Sequence, residues 1–175
     1  MNIKTLLFLI GLVFFGIFSC TKARVYPIEP EISFKEMSMY DGYDTLGNAV
    51  KRIILTMSVV DGDGNIGLPE DISWPGFDTL DNKNLYVNLY NKVDGVFEKV
   101  VLLAPFHYRT FFLEPEGQDK SLTADFEVTM DYTNFQDYDT IKYDFYIYDR
   151  DLHKSNVGVS PEVPADTTGI ITVAE

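Results

Sequence analysis

Strict alternation of apolar and polar residues runs through much of the chain, and it constrains the fold more than any other feature. Successive side chains of a β-strand point to opposite faces, so a period of two predicts strands with one buried face. The segment 121–131, SLTADFEVTMD, places an apolar residue at every second position, and 51–60 and 140–148 follow the same rule. No segment is a convincing helix, so the sequence predicts an all-β domain.

Seven segments are predicted to form strands: 31–40, 51–60, 84–91, 96–102, 121–131, 140–148 and 169–175. The first has apolar residues at 32, 34, 37 and 39, a phase slip that predicts a β-bulge. Asp94-Gly95 is a hairpin signal between two of the strands.

This pattern predicts a single immunoglobulin-like antiparallel β-sandwich of about seven strands. The alternative is a small closed barrel, which needs eight regular strands joined by hairpins. Two long irregular stretches, 61–83 and 103–120, favour the sandwich because regular hairpins leave no room for them.

The N-terminus has the features of an export signal. Lys4 precedes fourteen uncharged, mostly apolar residues, and Ser19 then stands before the single cysteine of the chain, Cys20. This arrangement is typical of a bacterial lipoprotein signal, in which the Cys is acylated and becomes the first mature residue. We expect a signal peptide at 1–19, a lipidated Cys20 with an extended tether at 20–30 of at most ~35 Å, and the sandwich domain at 31–175. The alternative is an ordinary signal peptide followed by a free thiol.

The composition is strongly acidic. The predicted mature chain keeps all 27 acidic side chains of the sequence and 13 of the 14 basic ones, because Lys4 is removed. Such a charge repels nucleic acid and anionic membranes, so no nucleic-acid partner is expected, whereas cations and basic partners are favoured.

The stretch DGDGNIGLPEDI at 61–72 spaces oxygen ligands as a cation loop does. Asp61, Asp63 and Asn65 stand at alternate positions, and the carbonyl of Gly67 follows at the seventh. A tightly turned chain can wrap one hard cation with such ligands, and Ca²⁺ is the cofactor that this pattern predicts.

An EF-hand is excluded, because Ile66 stands where its loop needs Gly and Ile72 where it needs a bidentate Glu. The other reading is a plain strand-ending turn. In it, Gly62 and Gly64 supply positive φ angles while the acids cap backbone N–H groups.

A second polar group follows the strand at 140–148; it comprises Asp149, Asp151, Ser155 and Asn156. In an immunoglobulin-like sandwich, the loops after the second and sixth strands lie at the same end. We therefore predict a metal site formed by Asp61, Asp63, Asn65, Asp149 and Asp151, provided that 107–117 is an extended crossover and not a fourth intervening strand. Local pairing of Asp149 with Arg150, or with Lys154, is the alternative.

Outward positions of two strands carry the tyrosines Tyr86, Tyr90, Tyr146 and Tyr148. If 84–91 and 140–148 are neighbours, the rings form an aromatic stripe suited to a glycan or a protein partner. Cross-strand packing, or cover by 61–83 with its Trp74, Phe77 and Leu80, is the alternative.

Four Asp-Thr triplets place threonines at Thr45, Thr79, Thr140 and Thr167. The triplet is similar to the O-glycosylation acceptor motif of Bacteroidota envelope proteins, which predicts glycans at these four positions.

Catalytic motifs are absent from the sequence. It has no G-x-S-x-G, H-E-x-x-H, G-x-G-x-x-G or P-loop, and its histidines, His107 and His153, stand alone. We expect no catalytic residues, although a glycosidase-type carboxylate pair stays open in so acidic a chain.

The order DGDGNIGL, NLYVNLYNKVDGVFE, IKYDFYIYDRDLHKSN behind a lipobox resembles a family of small Bacteroidota lipoproteins. The resemblance implies a lipid-anchored envelope protein with a β-sandwich, and it implies no activity. The residues after Cys20, TKAR, lack the acidic run that resembles a surface-export signal in that phylum, so we expect a periplasm-facing outer-membrane protein.

Three functions follow as expectations. The first is a non-enzymatic binding or scaffolding module with an envelope protein as partner. The second is a glycan-binding accessory protein, and the third is a hydrolase.

Overall fold

The computed structural model describes residues 26–70, 74–133 and 135–172, and it consists of two antiparallel β-sheets. The ten strands are β1 Glu31–Tyr43, β2 Ala49–Asp61, β3 Leu85–Val93, β4 Val96–Lys99, β5 Phe106–Tyr108, β6 Leu122–Tyr132, β7 Thr140–Ile147, β8 Gly158–Val159, β9 Val163–Pro164 and β10 Gly169–Thr172. Two single 3₁₀ turns lie at Asp78–Leu80 and Phe135–Asp137. No helix in these three ranges is long and apolar enough to cross a membrane. The predicted signal peptide and Cys20 lie outside the described residues.

The strand order matches that of an immunoglobulin-like sandwich at the centre of each sheet. One sheet has the order β10-β1-β2-β6, and the other has the order β4-β3-β7-β8, with β5 paired to β3 and β9 to β7. The neighbouring strands β1, β2 and β6 correspond to strands A, B and E of that fold, and β3 and β7 correspond to C and F. The sheets do not close into a barrel, so the predicted all-β sandwich is confirmed.

The alternation in the sequence becomes the core between the sheets. Ile53, Leu55, Met57 and Val59 of β2 are fully buried, as predicted, and they face the equally buried Leu85, Val87 and Leu89 of β3. Burying each such side chain contributes about 1.5–3 kcal/mol, which is why the period of two defines the strands.

Two local predictions about the backbone are confirmed. The register of β1 against β2 shifts between Phe34 and Glu36, so Lys35 is the extra residue of the predicted bulge. Asp94 and Gly95 both have positive φ, 50° and 83°, as a two-residue hairpin turn between β3 and β4 requires.

The stretch 103–120 was predicted to be irregular, and this is wrong for Phe106–Tyr108, which forms β5. Val96 pairs with Val93 and Tyr108 pairs with Leu85, so β4 and β5 run in the same direction along one edge of β3. They therefore count as one passage of the chain, interrupted at 100–105. The loops after β2 and β7 consequently lie at the same end of the sandwich, which we call the loop end.

Candidate metal centre

The two acidic loops meet at the loop end. The backbone N–H of Arg150 donates to the carbonyl oxygen of Asn65 at 3.1 Å. The Asn65 side-chain amide donates to Asp151 Oδ2 at 3.0 Å and to Asp63 Oδ2 at 3.1 Å. The loops at 61–67 and 149–156 therefore form one unit, as the strand count predicted.

Three carboxylates converge where these loops touch. Asp61, Asp63 and Asp149 each offer one oxygen, and these atoms all lie within 4.8 Å of one another. Asp61 ends β2 and Asp149 follows β7, and both side chains are fully buried. Like charges this close repel one another strongly unless a cation or a proton lies among them.

Oxygens in the first loop are left without partners. Asp61 Oδ1, Asp63 Oδ1 and Asn65 Oδ1 are all buried and accept no hydrogen bond from any residue in the described ranges. Asp61 Oδ2, in contrast, accepts from the backbone N–H of Asn65 at 2.8 Å. The turn reading is thus correct for one oxygen of Asp61 and leaves the other unexplained. Burying an unpaired polar atom is costly, so these three oxygens favour a cation or a proton bound between them.

The protonation of Asp61 reflects this environment. Burial, and then the neighbouring charge of Asp63, raise the pKa of Asp61 to about 7. Burial also raises the pKa of Asp149, against the opposing effect of hydrogen bonds from His153. Without a cation, the cluster lowers its charge by keeping a proton near neutral pH.

His153 orients Asp149 from outside the cluster. His153 Nδ1 lies 2.7 Å from Asp149 Oδ2, and its backbone N–H donates to Asp149 Oδ1 at 2.8 Å. The carboxylate raises the pKa of His153. The predicted pairing of Asp149 with Arg150 or Lys154 is therefore not what the structure has. Sequence inspection missed this contact because a lone His has no ligand spacing to reveal it.

Arg150 is a structural residue that the sequence did not single out. Its Nη1 donates to the carbonyls of Ile66, Gly67 and Leu113 at 3.0–3.2 Å, and its guanidinium lies 4.5 Å from the centre of the Phe112 ring. The Gly67 carbonyl, expected as a ligand, therefore accepts a hydrogen bond from Arg150. The side chain joins three segments and stiffens the loop end.

Not all of the second polar group belongs to the site. Ser155 Oγ accepts from the N–H of Ile147, and the Asn156 side chain bonds both backbone groups of Ile32 at 2.8 Å. These two residues hold strands together instead of facing the acids. Asp151 is exposed and reaches the site through Asn65.

The donor set suits a hard cation. Its members are carboxylate and amide oxygens, which Ca²⁺ prefers, and the group of acids contains no thiolate or imidazole, which Zn²⁺ prefers. Three acids from two loops also supply the excess negative charge that a divalent ion requires.

The tyrosines are adjacent, as predicted, but they are not a fully exposed stripe. Tyr86 pairs with Tyr146 across β3 and β7, and their rings stack with centroids 5.0 Å apart. Tyr86 is only 7% exposed, and its hydroxyl lies within 3.3 Å of the carbonyls of Leu80 and Lys83. The expected exposure is therefore wrong for Tyr86, because the segment before β3 covers it.

The other three tyrosines remain half-buried. Tyr90 donates to Asp144 Oδ2 at 2.8 Å, and Lys154 Nζ lies 3.8 Å from the centre of the Tyr146 ring. The Tyr148 ring meets that of Tyr146 edge to face at 5.9 Å. Glycan binding on this surface stays a prediction.

The threonines of the Asp-Thr triplets differ in exposure. Thr45 is exposed, Thr140 and Thr167 are half-buried, and the side chain of Thr79 lies outside the described residues. O-glycosylation also stays a prediction.

A groove of about 620 Å³ lies at the end of the sandwich opposite to the loop end, between the β1–β2 hairpin and the segment after β6. Rings of Tyr132 and Tyr138 line it, and Lys51 lies almost buried with its Nζ 3.4 Å from Asp41 Oδ1. None of the clustered acids is near it. Charge and unpartnered oxygens, not cavity size, are what a bare ion requires, so the acidic loops and not the groove are the candidate site.

Comparisons with protein-family models, with curated proteins and with solved structures give no match to this chain.

Proposed function

We propose that this chain is a lipid-anchored cell-envelope protein whose β-sandwich binds Ca²⁺ at its loop end and serves as a non-enzymatic binding or scaffolding module. The lipobox ending at Cys20 supports the anchor and the envelope location. A periplasm-facing position on the outer membrane is part of the proposal.

One observation carries the Ca²⁺ assignment. Asp61 Oδ1, Asp63 Oδ1 and Asn65 Oδ1 are buried without hydrogen-bond partners, beside the carboxylate of Asp149. A cation bound to these oxygens would satisfy all three and cancel the repulsion between the carboxylates. Mg²⁺ fits less well, because it holds its own waters and takes few protein ligands.

The experiment is Ca²⁺ titration by calorimetry together with thermal melts in Ca²⁺ and in chelator. Ca²⁺ at 100 times its Kd contributes about 2.7 kcal/mol, which raises the Tm of a domain of this size by about 5–10 °C. The double variant Asp61→Asn/Asp63→Asn should lose both the heat of binding and the shift in Tm.

The matched control is Asp94→Asn/Asp166→Asn, which removes two exposed acids far from the cluster and should respond to Ca²⁺ as the wild type does. Equal melting temperatures of the wild type in Ca²⁺ and in chelator, with no heat of binding, would show that a proton and not a cation occupies the cluster.

A further inference from the structure

The chain enters the domain at the loop end. Gly62 N–H donates to the carbonyl of Pro27 at 2.8 Å, directly after the last residue of β2. The first residue of β1, Glu31, pairs with Val60, at the same end of the sheet. The tether expected at 20–30 is therefore partly docked on the domain, and only 21–25 separates Cys20 from Tyr26.

This connection limits how far the loop end can lie from an anchored cysteine. Six residue steps from Cys20 to Tyr26 span at most about 20 Å, even when fully extended. An acyl group on Cys20 would therefore hold the metal centre, and not the groove at the opposite end, close to the lipid headgroups.

Apolar side chains are exposed on the segments that surround this entry point. Phe111 is 85% exposed and Ile28 is 52% exposed, and Phe112 and Leu152 are less so. Leu113 N–H bonds to the carbonyl of Ile66, which places the 111–113 segment beside the acidic loop. Exposed aromatic and aliphatic side chains favour the interface between water and lipid.

We propose that the loop end docks on the surface of the lipid bilayer, with Phe111 and Ile28 in the headgroup region and the metal centre facing the membrane. The inference rests on the proposed acylation of Cys20. Tethering raises the effective concentration of lipid at these side chains, so even a small apolar contact suffices to orient the domain. Ca²⁺ in the acidic cluster lowers the negative charge of the face that meets the membrane.

The test uses the acylated full-length protein in phosphatidylcholine vesicles with Ca²⁺. Acylation consumes the only cysteine of the chain, so a second cysteine carries the only free thiol. Phe111→Cys and Leu46→Cys form a matched pair, because Phe111 and Leu46 are 85% and 86% exposed but lie at opposite ends of the sandwich. Each is labelled with a nitroxide, and its accessibility to oxygen and to a water-soluble nickel chelate is measured.

The label at 111 should be reached better by oxygen, which concentrates in lipid, and the label at 46 better by the nickel chelate. Equal accessibilities at the two positions overturn docking, as does spin–spin broadening at 111, which would indicate contact with a second copy.

A second measurement needs no label, because Trp74 is the only tryptophan and its Nε1 donates to the Arg150 carbonyl at the loop end. Brominated lipids should quench Trp74 in the wild type and in Leu46→Ser, and less in Phe111→Ser. No quenching in the wild type overturns docking.

Failure of the proposed anchor gives a different result. A protein that carries no acyl group by intact mass, and does not float with vesicles, overturns both the anchor and the docking. An acylated protein that floats but shows an unquenched Trp74 overturns the docking alone.

Discussion

Asp61 is the residue in which the requirements of the fold and of the site meet. Its main-chain position ends a core strand, one of its carboxylate oxygens caps the following turn, and the other is buried without a partner. A residue needed only for the turn would not require the second oxygen to be buried. The side chain therefore stabilises the loop only when a cation or a proton neutralises it.

The stability of the metal-free protein should fall as the pH rises from 4 to 7. The folded state keeps a proton on Asp61 up to a pKa of about 7, whereas the unfolded carboxyl loses it near 3.8. The folded state therefore binds more protons in this window, so the free energy of unfolding decreases with pH. The raised pKa of Asp149 acts in the same direction, and the raised pKa of His153 does so only above about pH 6.5. Urea unfolding of metal-stripped protein across this range measures the effect.

Two controls accompany this measurement. Asp61→Asn should flatten the pH dependence, because the titrating group is gone. The salt-bridged Asp125 and Asp131 have lowered pKa values, so they affect stability only below about pH 4. A free energy of unfolding that is constant or increases between pH 4 and 7 would contradict the raised pKa of Asp61.

At the scale of the element, the loop after β2 is shaped by close approach as much as by charge. Gly64 has a φ of 67°, and a Cβ added there would meet the Lys120 carbonyl oxygen and the Pro115 ring. Gly62 similarly lies against the carbonyls of Tyr26 and Pro27. The glycines of DGDG thus allow two other segments to pack directly on the acidic loop.

Gly64→Ala and Gly95→Ala should differ although both glycines have positive φ. A Cβ on Gly95, φ 83°, meets nothing within 4 Å, so its cost is the left-handed backbone alone, about 1–2 kcal/mol. Gly64→Ala adds steric overlap, worth about a further 1–3 kcal/mol, and should also weaken Ca²⁺ binding. Urea unfolding and calorimetry compare the two variants, and equal losses of stability would contradict the close approach at Gly64.

At the scale of the whole molecule, the two ends of the sandwich differ in what they carry. The chain entry, the acidic cluster and the exposed side chains of Phe111 and Ile28 lie at the loop end, while the groove near Lys51 and the exposed Leu46 lie at the other. A protein anchored through Cys20 would present the groove end to the aqueous compartment.

Acylation of Cys20 predicts a simple biochemical result. The membrane-associated protein should begin at Cys20 and have an intact mass that exceeds that of the mature polypeptide by its acyl chains. Cys20→Ser should abolish both the added mass and membrane association, whereas the neighbouring change Thr21→Ser should preserve them. A wild-type protein with an unmodified Cys20 would contradict the anchor.

The alternation of the sequence was sufficient to predict β2, β6 and β7, because one face of each strand is buried or half-buried along its length while the other is more exposed. It could not predict β5, β8 and β9, which have two or three residues each and are strands only because β3 and β7 offer them hydrogen bonds. Cover of the tyrosines by 61–83 was open only as an alternative, because the segment that covers Tyr86 has no sequence period from which its contacts could be predicted.

For the candidate site, the sequence by itself determined which oxygen-bearing side chains the two loops carry and, through the number of intervening strands, that these loops meet. Only the tertiary structure decided the roles within that group. It showed that Asp61, Asp63 and Asn65 each keep a buried oxygen without a partner, and that Ser155 and Asn156 hold strands instead. Spacing along a chain specifies which oxygens are near in sequence, but a hydrogen bond from a distant residue decides which of them remain available to a cation.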